Sequence, residues 1–391
     1  MSLDDRIDER AAIRTHLGAI FVSLELSRST WLITSLSPGN GEKMSRHSVA
    51  SGDIEALLAR FAELQRKALA RRSKSYPIIT IQEAGLDGFS LHRVLQQKGI
   101  ESHVVDAASV AVPRRRRRAK TDRIDGEALL QVLLAYKRGE PRVCSMVVAP
   151  SPEEEDRRRL CREREVLLGE RISHVNRIKG LLFAQGISGY APLRGNRRAQ
   201  LQTLRTADGR LLPEQLKLQI SRELDRLELL LDQIKVVEAA RDAMLARLSE
   251  TANEAQVPHP LAMLLDVRGI GAEFAAALWG ECFYRSFANR RQLASYAGLA
   301  ATPWQSGKLA KEQGVSKAGN PRLRTKLIQL AWLWLRHQPQ SALVRWFHVH
   351  SRRGRNSAIV ALARKLLVAL WKYATAGVVI EGAVLKSAAK A

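Results

Sequence analysis

The sequence predicts an α/β domain at the N-terminus, a long helical arm, and a mostly α-helical, basic C-terminal domain, with limits at 1–150, 151–255 and 256–391. Three observations predict it. Short apolar runs closed by turn residues alternate with helix-period segments between residues 18 and 137. Two long stretches, 153–184 and 214–248, repeat apolar residues at helical spacing among charges. Most of the excess positive charge follows residue 268.

Residues 18–25 (GAIFVSLE) and Thr30–Leu36 are β-rich runs joined by Ser27-Arg28-Ser29, the pattern of a hairpin. Ile54, Leu57, Leu58, Phe61 and Leu64 set a helix over Asp53–Arg71. Tyr76–Ile81 reads as a strand followed by Glu83, Leu86–Lys98 as a helix, Glu101–Val105 as a strand and Asp122–Lys137 as a helix. The order is strand, strand, helix, strand, helix, strand, helix. In the arm, Leu168, Ile172, Val175, Ile178 and Leu182 mark one helix, and Leu224, Leu227, Leu231 and Ile234 mark the other. The intervening 186–213 reads as irregular, with Arg194, Arg197 and Arg198 at its tip as candidate nucleic-acid contacts. Beyond it, Leu264–Glu273 and Phe274–Trp279 read as helix, Gly-Ile-Gly turn and helix, a helix-hairpin-helix signature. Such a turn offers backbone N–H groups at Gly269 and Gly271 to a phosphate. Trp332 and Trp334, in an apolar helix, read as core.

Composition narrows the partners. The 391 residues carry 63 Lys+Arg against 39 Asp+Glu, a net charge of +24. Residues 1–150 hold 24 basic and 17 acidic side chains, 151–267 hold 19 and 18, and 268–391 hold 20 and 4. A C-terminal third that basic calls for a polyanion, and nucleic acid leads. Cys144, Cys161 and Cys282 form neither a disulfide framework nor a zinc spacing. No signal-type apolar segment opens the chain and no uncharged run is long enough to span a bilayer, so a cytoplasmic, bacterial location is expected.

The chemistry concentrates in Pro113–Asp125. Arg114, Arg115, Arg116, Arg117, Arg118 and Lys120 lead into Asp122 and Asp125, which share one face of a helix. Two carboxylates so placed either complement the helix start or hold a cation to which the arginines bring a phosphate. Glu25 closes the first strand and Glu83 follows a middle one. An RNase H-like fold gathers such strand-end and helix carboxylates at one sheet edge, where metal ions suit phosphodiester chemistry. In the last third, Ser306 lies between Gln305 and Gly307 with Lys308, Lys311, Lys317, Arg322 and Arg324 near in sequence. It reads as an ordinary loop serine, a phosphate ligand or a nucleophile, and composition alone leaves all three open.

Together these segments resemble a known family, the RuvC-like DEDD transposases and recombinases of the IS-one-ten insertion sequences, with pilin-gene invertases as relatives. The resemblance rests on Val22–Arg28, Gln82-Glu83-Ala84-Gly85 and Lys120–Asp125. It continues through Arg268–Gly271, Ala297-Gly298-Leu299, Gln305-Ser306-Gly307, Lys317–Asn320 and Ala361–Leu366. Where the family's first strand usually ends Gly-Ile-Asp, this one reads Ser23-Leu24-Glu25, a carboxylate longer by a methylene. The resemblance implies that Glu25, Glu83, Asp122 and Asp125 hold Mg²⁺, with Mn²⁺ as a substitute. It implies that Ser306 attacks DNA to form a covalent phosphoserine. It further implies a structured bridge RNA that selects donor and target DNA, and dimers that assemble into tetramers. Two other classes fit the same residues: a metal-dependent junction nuclease using activated water, and a degenerate RNA- or DNA-binding remnant.

Overall fold

Alternate residues of the first strand face two different helical layers, and that alternation sets the plan of the N-terminal unit. The computed structural model describes residues 18–38, 43–85, 88–110, 122–141, 143–254, 259–306 and 309–386. They fall into two units, 1–149 and 150–391. In the first, β1 (Ile20–Leu26) and β2 (Thr30–Leu36) form the expected hairpin. Its turn is locked by Ser27, whose Oγ accepts from the Thr30 N–H at 3.1 Å and donates to the Thr30 carbonyl. A third strand, β3 (Ser45–Ala50), pairs with β2. The sequence reading lacked it because SRHSVA has no apolar alternation. It is an edge strand, whose outer side meets water and tolerates charge.

The helix α1 (Ile54–Arg72) starts at Asp53, which accepts from the Ala56 N–H at 2.9 Å, and ends at Ser73 in the left-handed region. It leads to β4 (Ile78–Glu83), then α2 (Ser90–Gln97), β5 (Glu101–Val105) and α3 (Asp122–Lys137). The sheet order is β3-β2-β1-β4-β5, with β1–β4 and β4–β5 parallel and the other two pairs antiparallel. Ile20, Val22 and Leu24 pack with Leu57, Phe61 and Leu64 of α1 and Leu91 and Leu95 of α2. Ala19, Phe21, Ile79 and Ile81 pack on the other side with Leu129, Leu130, Leu133 and Leu134 of α3.

At Gly126 α3 lies close against the sheet. A Cβ there would lie 2.8 Å from Thr34 Oγ1, and Ser23 Oγ donates to the Gly126 carbonyl at 2.6 Å. Gly126→Ala is expected to cost about 1–3 kcal/mol by overpacking. A second change, Thr34→Ala, should recover most of it; denaturant unfolding of the two variants checks this.

The second unit opens with α4 (Pro152–Phe183), started by a capping box between Ser151 and Glu154. It pairs with α6 (Glu214–Glu254). Arg164 meets Glu238 at 2.6 Å while His174 meets Glu223 at 2.5 Å, so the helices run antiparallel. Between them the segment read as irregular holds a short helix, α5 (Arg197–Thr203), which buries Leu201 beneath the tip. The arm's base enters a helical core, where Cys161 and Leu245 cluster with Leu327, Leu330, Leu362 and Leu366. That core is built from α7 (Pro260–Asp266), α8 (Ala272–Leu278), α9 (Arg290–Tyr296), α10 (Pro321–His337), α11 (Ala342–His350) and α12 (Arg355–Ala376). A π-helical turn, Trp279–Phe283, extends α8, and a hairpin of β6 (Ala301–Ser306) and β7 (Leu309–Val315) separates α9 from α10. Among the described residues no helix is long and apolar enough to cross a membrane.

Candidate functional site

On β1 the residues facing α3 are Phe21 and Ser23, continuing from Ala19 just before the strand, and the next in that set is Glu25. On β4 they are Ile79 and Ile81, and the next is Glu83. The parallel register pairs Leu24 with Gln82, so one step further sets Glu25 beside Glu83 at the carboxyl ends of neighbouring strands. At its far end α3 places Lys137 Nζ 2.8 Å from Glu101, the first residue of β5. The helix therefore runs opposite to the parallel strands, and its first turn lies toward the end of the sheet that carries both glutamates. Asp125, half-buried, immediately precedes Gly126, and Asp122 is the helix's first residue. The Asp122 side chain lies outside the described residues, as do Arg114, Arg115, Arg116, Arg117, Arg118 and Lys120. Glu25 and Glu83 line one cavity of about 590 Å³ together with Leu24, Leu26, Ser27, Arg28 and Gly85.

Among the described residues no three His, Cys, Asp or Glu side chains gather closely enough to hold a metal ion. Glu25 and Glu83, adjacent strand-end carboxylates opening on that cavity, are hard oxygen donors of the type Mg²⁺ takes.

Sequence placed Ser306 in a loop. The structure makes it the last residue of β6, in register with Leu309, so only Gly307 and Lys308 intervene. Those two residues and the Ser306 side chain lie outside the described set. A bulge at Ala301/Pro303 accompanies a proline that has no N–H for the ladder. The hairpin's base is fixed by Ser316 N–H to the Ala300 carbonyl (2.9 Å) and Lys317 N–H to the Gly298 carbonyl (3.2 Å).

The following turn explains several basic positions. Lys317 is exposed with φ 57°, and Arg324 Nη1 donates to its carbonyl at 2.9 Å, so Arg324 holds the turn. Arg322 is exposed and lies 3.5 Å from Glu165. Gly319, at φ 114°, passes so near α9 that a Cβ would sit 2.5 Å from the Tyr296 carbonyl. Gly269, at φ 90°, is likewise required by packing, since its Cβ would lie 2.7 Å from that of His337. Gly271 caps α8 and faces open space. Lys386 Nζ donates to the Ile270 carbonyl at 3.0 Å and Gln338 Nε2 to the Arg268 carbonyl at 2.7 Å, anchoring this turn. At the arm's tip Arg197 and Arg198 are occupied by Glu228 and Asp225.

The sequence reading missed one polar cluster. Glu281, buried in the π-turn, receives Arg162 Nε at 2.7 Å and Nη2 at 3.1 Å, and Asn320 Nδ2 at 2.8 Å. Burial pushes its carboxyl up, but the Arg162 bonds and charge outweigh that and hold it below the ordinary value. The available signal was a lone acid in the apolar run Phe274–Phe283, which at a core position demands a partner. Asn320 also caps α10, accepting from the Leu323 N–H, and thereby ties the Lys317–Asn320 turn to this ion pair. Trp334 is core, with Nε1 donating to Ser341 Oγ at 2.9 Å. Trp332, read as core, is instead 37% exposed with the Arg355 guanidinium 5.0 Å from its ring. Residues 313–380 contain no Asp or Glu.

These features have counterparts in known proteins. Residues 261–344, which span the Gly-Ile-Gly turn, the serine hairpin and α10, match the Transposase IS116/IS110/IS902 family. The y4rJ protein of Sinorhizobium fredii (strain NBRC 101917 / NGR234), which bears a provisional transposase name, is 65% identical over 99% of this chain and 100% of its own length. A transposase for insertion sequence element IS1111A from Coxiella burnetii is 28% identical, covering 66% of this chain and 67% of that protein. Because the match to y4rJ runs through both units, the acidic sheet end and the serine hairpin alike, the chain belongs to the IS110/IS116/IS902 family of transposases.

Proposed function

We propose that this insertion-sequence transposase cuts and rejoins DNA through a seryl–phosphate ester at Ser306, supported by a carboxylate–Mg²⁺ site at Glu25, Glu83, Asp122 and Asp125. The observation that carries the reading is the placement of Glu25 beside Glu83, on the face of the sheet covered by α3. The strand order, with two antiparallel and two parallel pairs, supports an RNase H-like assignment. Mg²⁺, or Mn²⁺ in its place, would offset phosphoryl charge when bound. The chain's own groups do the rest. Arg28 at the cavity and the Arg114–Arg118 run attract the DNA backbone. Ser306 Oγ gives up its proton and bonds to phosphorus, while the phosphorus–oxygen bond to the departing strand breaks and that oxygen gains a proton. In the return step a strand hydroxyl attacks the same phosphorus and releases serine, so rejoining needs no nucleotide cofactor.

The acidic residues belong to the first unit and Ser306 to the second. We read the α7–turn–α8 segment as a helix-hairpin-helix, with Gly271, Lys308, Lys317 and Arg322 toward the nucleic-acid backbone. The family resemblance supports a bridge RNA that pairs with element and target DNA, and homodimers that join as tetramers. The decisive experiment traps the covalent adduct. Wild-type protein with Mg²⁺, labelled junction DNA and the transcript of the element's flank is expected to give a labelled protein band on a denaturing gel. Ser306→Ala should give none. DNA cut without an adduct would instead identify the activated-water nuclease.

A further inference from the structure

The arm ends in a small preformed cavity of about 370 Å³ lined by Lys179, Gly180, Leu182, Phe183, Ile187, Ser188 and Tyr190. Its floor is rigid. Tyr190 is buried and its hydroxyl donates to the Arg197 carbonyl at 2.8 Å. Ile187 N–H bonds the Leu182 carbonyl at 3.0 Å, and Ala207 N–H bonds that of Gln185 at 3.0 Å. Gly186, at φ 75°, lets the loop close against Ala207.

Against this ordered floor, Phe183 is 73% exposed. A phenylalanine so exposed at the last residue of a helix contributes nothing to the arm's own packing. Beside it Lys179 is exposed, Ser188 offers a hydroxyl, and a Cβ on Gly180 would meet nothing within 4 Å. The helix end and loop that line the cavity bring only positive charge, and the carboxylates at the tip come from α6. From Arg171 through Ala207 the sequence has no Asp or Glu and seven Lys or Arg. Glu223, Asp225 and Glu228 of α6 neutralise Arg177, Arg197 and Arg198, while the tip also carries the exposed Arg194.

We infer that the arm tip is a binding site for an unpaired nucleotide, whose base stacks on Phe183 over the cavity and whose phosphate meets Lys179. A bare aromatic face beside a cation is how proteins hold single-stranded nucleic acid without reading its sequence. The cavity lies at the small end of ligand-site volumes, enough for a single nucleotide. Base pairs within a duplex offer no free face, so the ligand is a looped or single-stranded segment. This rests on the nucleic-acid reading above, and it adds a contact in the arm that neither Ser306 nor the carboxylates supply.

The test uses the full-length protein, an end-labelled twelve-nucleotide oligo-dU and a blunt DNA duplex of the same length, with binding read by fluorescence anisotropy. Phe183→Ala is expected to weaken oligo-dU binding about tenfold, the scale of one lost base–aromatic stack, and to leave duplex binding within about twofold. Phe183→Trp should restore it. Irradiation with 5-bromodeoxyuridine in the oligonucleotide should crosslink to the peptide containing Phe183. Equal losses for both ligands, or none for either, would overturn the inference. So would conversion of the wild-type oligomer to a smaller species by Phe183→Ala on gel filtration, which would make a second copy the occupant. A wild-type protein that bound neither ligand would instead sink the nucleic-acid reading itself.

Discussion

Glu83→Gln protein is expected to bind junction DNA as wild type does yet to form the Ser306 adduct at least about 10²–10³-fold more slowly. The substitution keeps the side chain's shape and removes only its charge. Glu83 ends a central strand whose preceding residues are buried, so folding should be unaffected. Glu25→Gln should behave alike, because the register sets the two side by side at one cavity. Asp122→Ala and Asp125→Ala should abolish cleavage while retaining DNA and RNA binding. On the proposed mechanism, binding would rest on phosphate contacts from the basic surface, whereas cleavage would need charge offset at the reacting phosphorus. Parallel measurement of adduct rate and anisotropy for each variant separates the two. Adduct formation at the wild-type rate by Glu83→Gln would remove the acidic site from the reaction.

The largest stability effect is expected at Glu281. Glu281→Ala should destabilise the second unit by about 2–3 kcal/mol, since it removes the buried carboxylate that Arg162 and Asn320 share and leaves Asn320 Nδ2 without its acceptor. In a unit of this size that corresponds to a fall in melting temperature of roughly 4–12 °C. The effect has a pH signature. Glu281's folded-state pKa is depressed, so its contribution is full above the ordinary glutamate range and is lost as pH falls through the depressed value. The gap between wild type and Glu281→Ala should therefore be wide at neutral pH and narrow in acid. Calorimetry at both pH values checks it, and a gap that widened on acidification would reverse the assigned sign. Because Asn320 joins the Lys317–Asn320 turn to α10, the variant should also disturb the base of the serine hairpin.

How much of this was legible varies by element. The β1–β2 hairpin, the two arm helices and Glu101–Val105 stood out because each buries an apolar face with its own period. The edge strand Ser45–Ala50 did not, because a strand bonded on one side only has no need of that pattern. Glu83 could be gathered with Glu25 at one sheet edge by the fold the sequence predicts, but not set on the strand next to it. That neighbourhood is a fact of register between segments nearly sixty residues apart. Arg324 stood out only as a cation near Ser306 and Gly269 as part of a phosphate-type turn, whereas the structure adds that Arg324 holds the Lys317 carbonyl and Gly269 packs on His337.

By itself the sequence determined the α/β-then-helical plan, the basic last third and the membership in the IS110 family that the family match and y4rJ bear out, because composition, period and motif order are local properties of a chain. Only the tertiary structure decided that Glu25 and Glu83 end neighbouring strands in register, that Glu281 is buried against Arg162, and that Phe183 stands bare above a cavity. Each depends on which distant segments exclude water from a side chain, and a linear pattern carries no record of that.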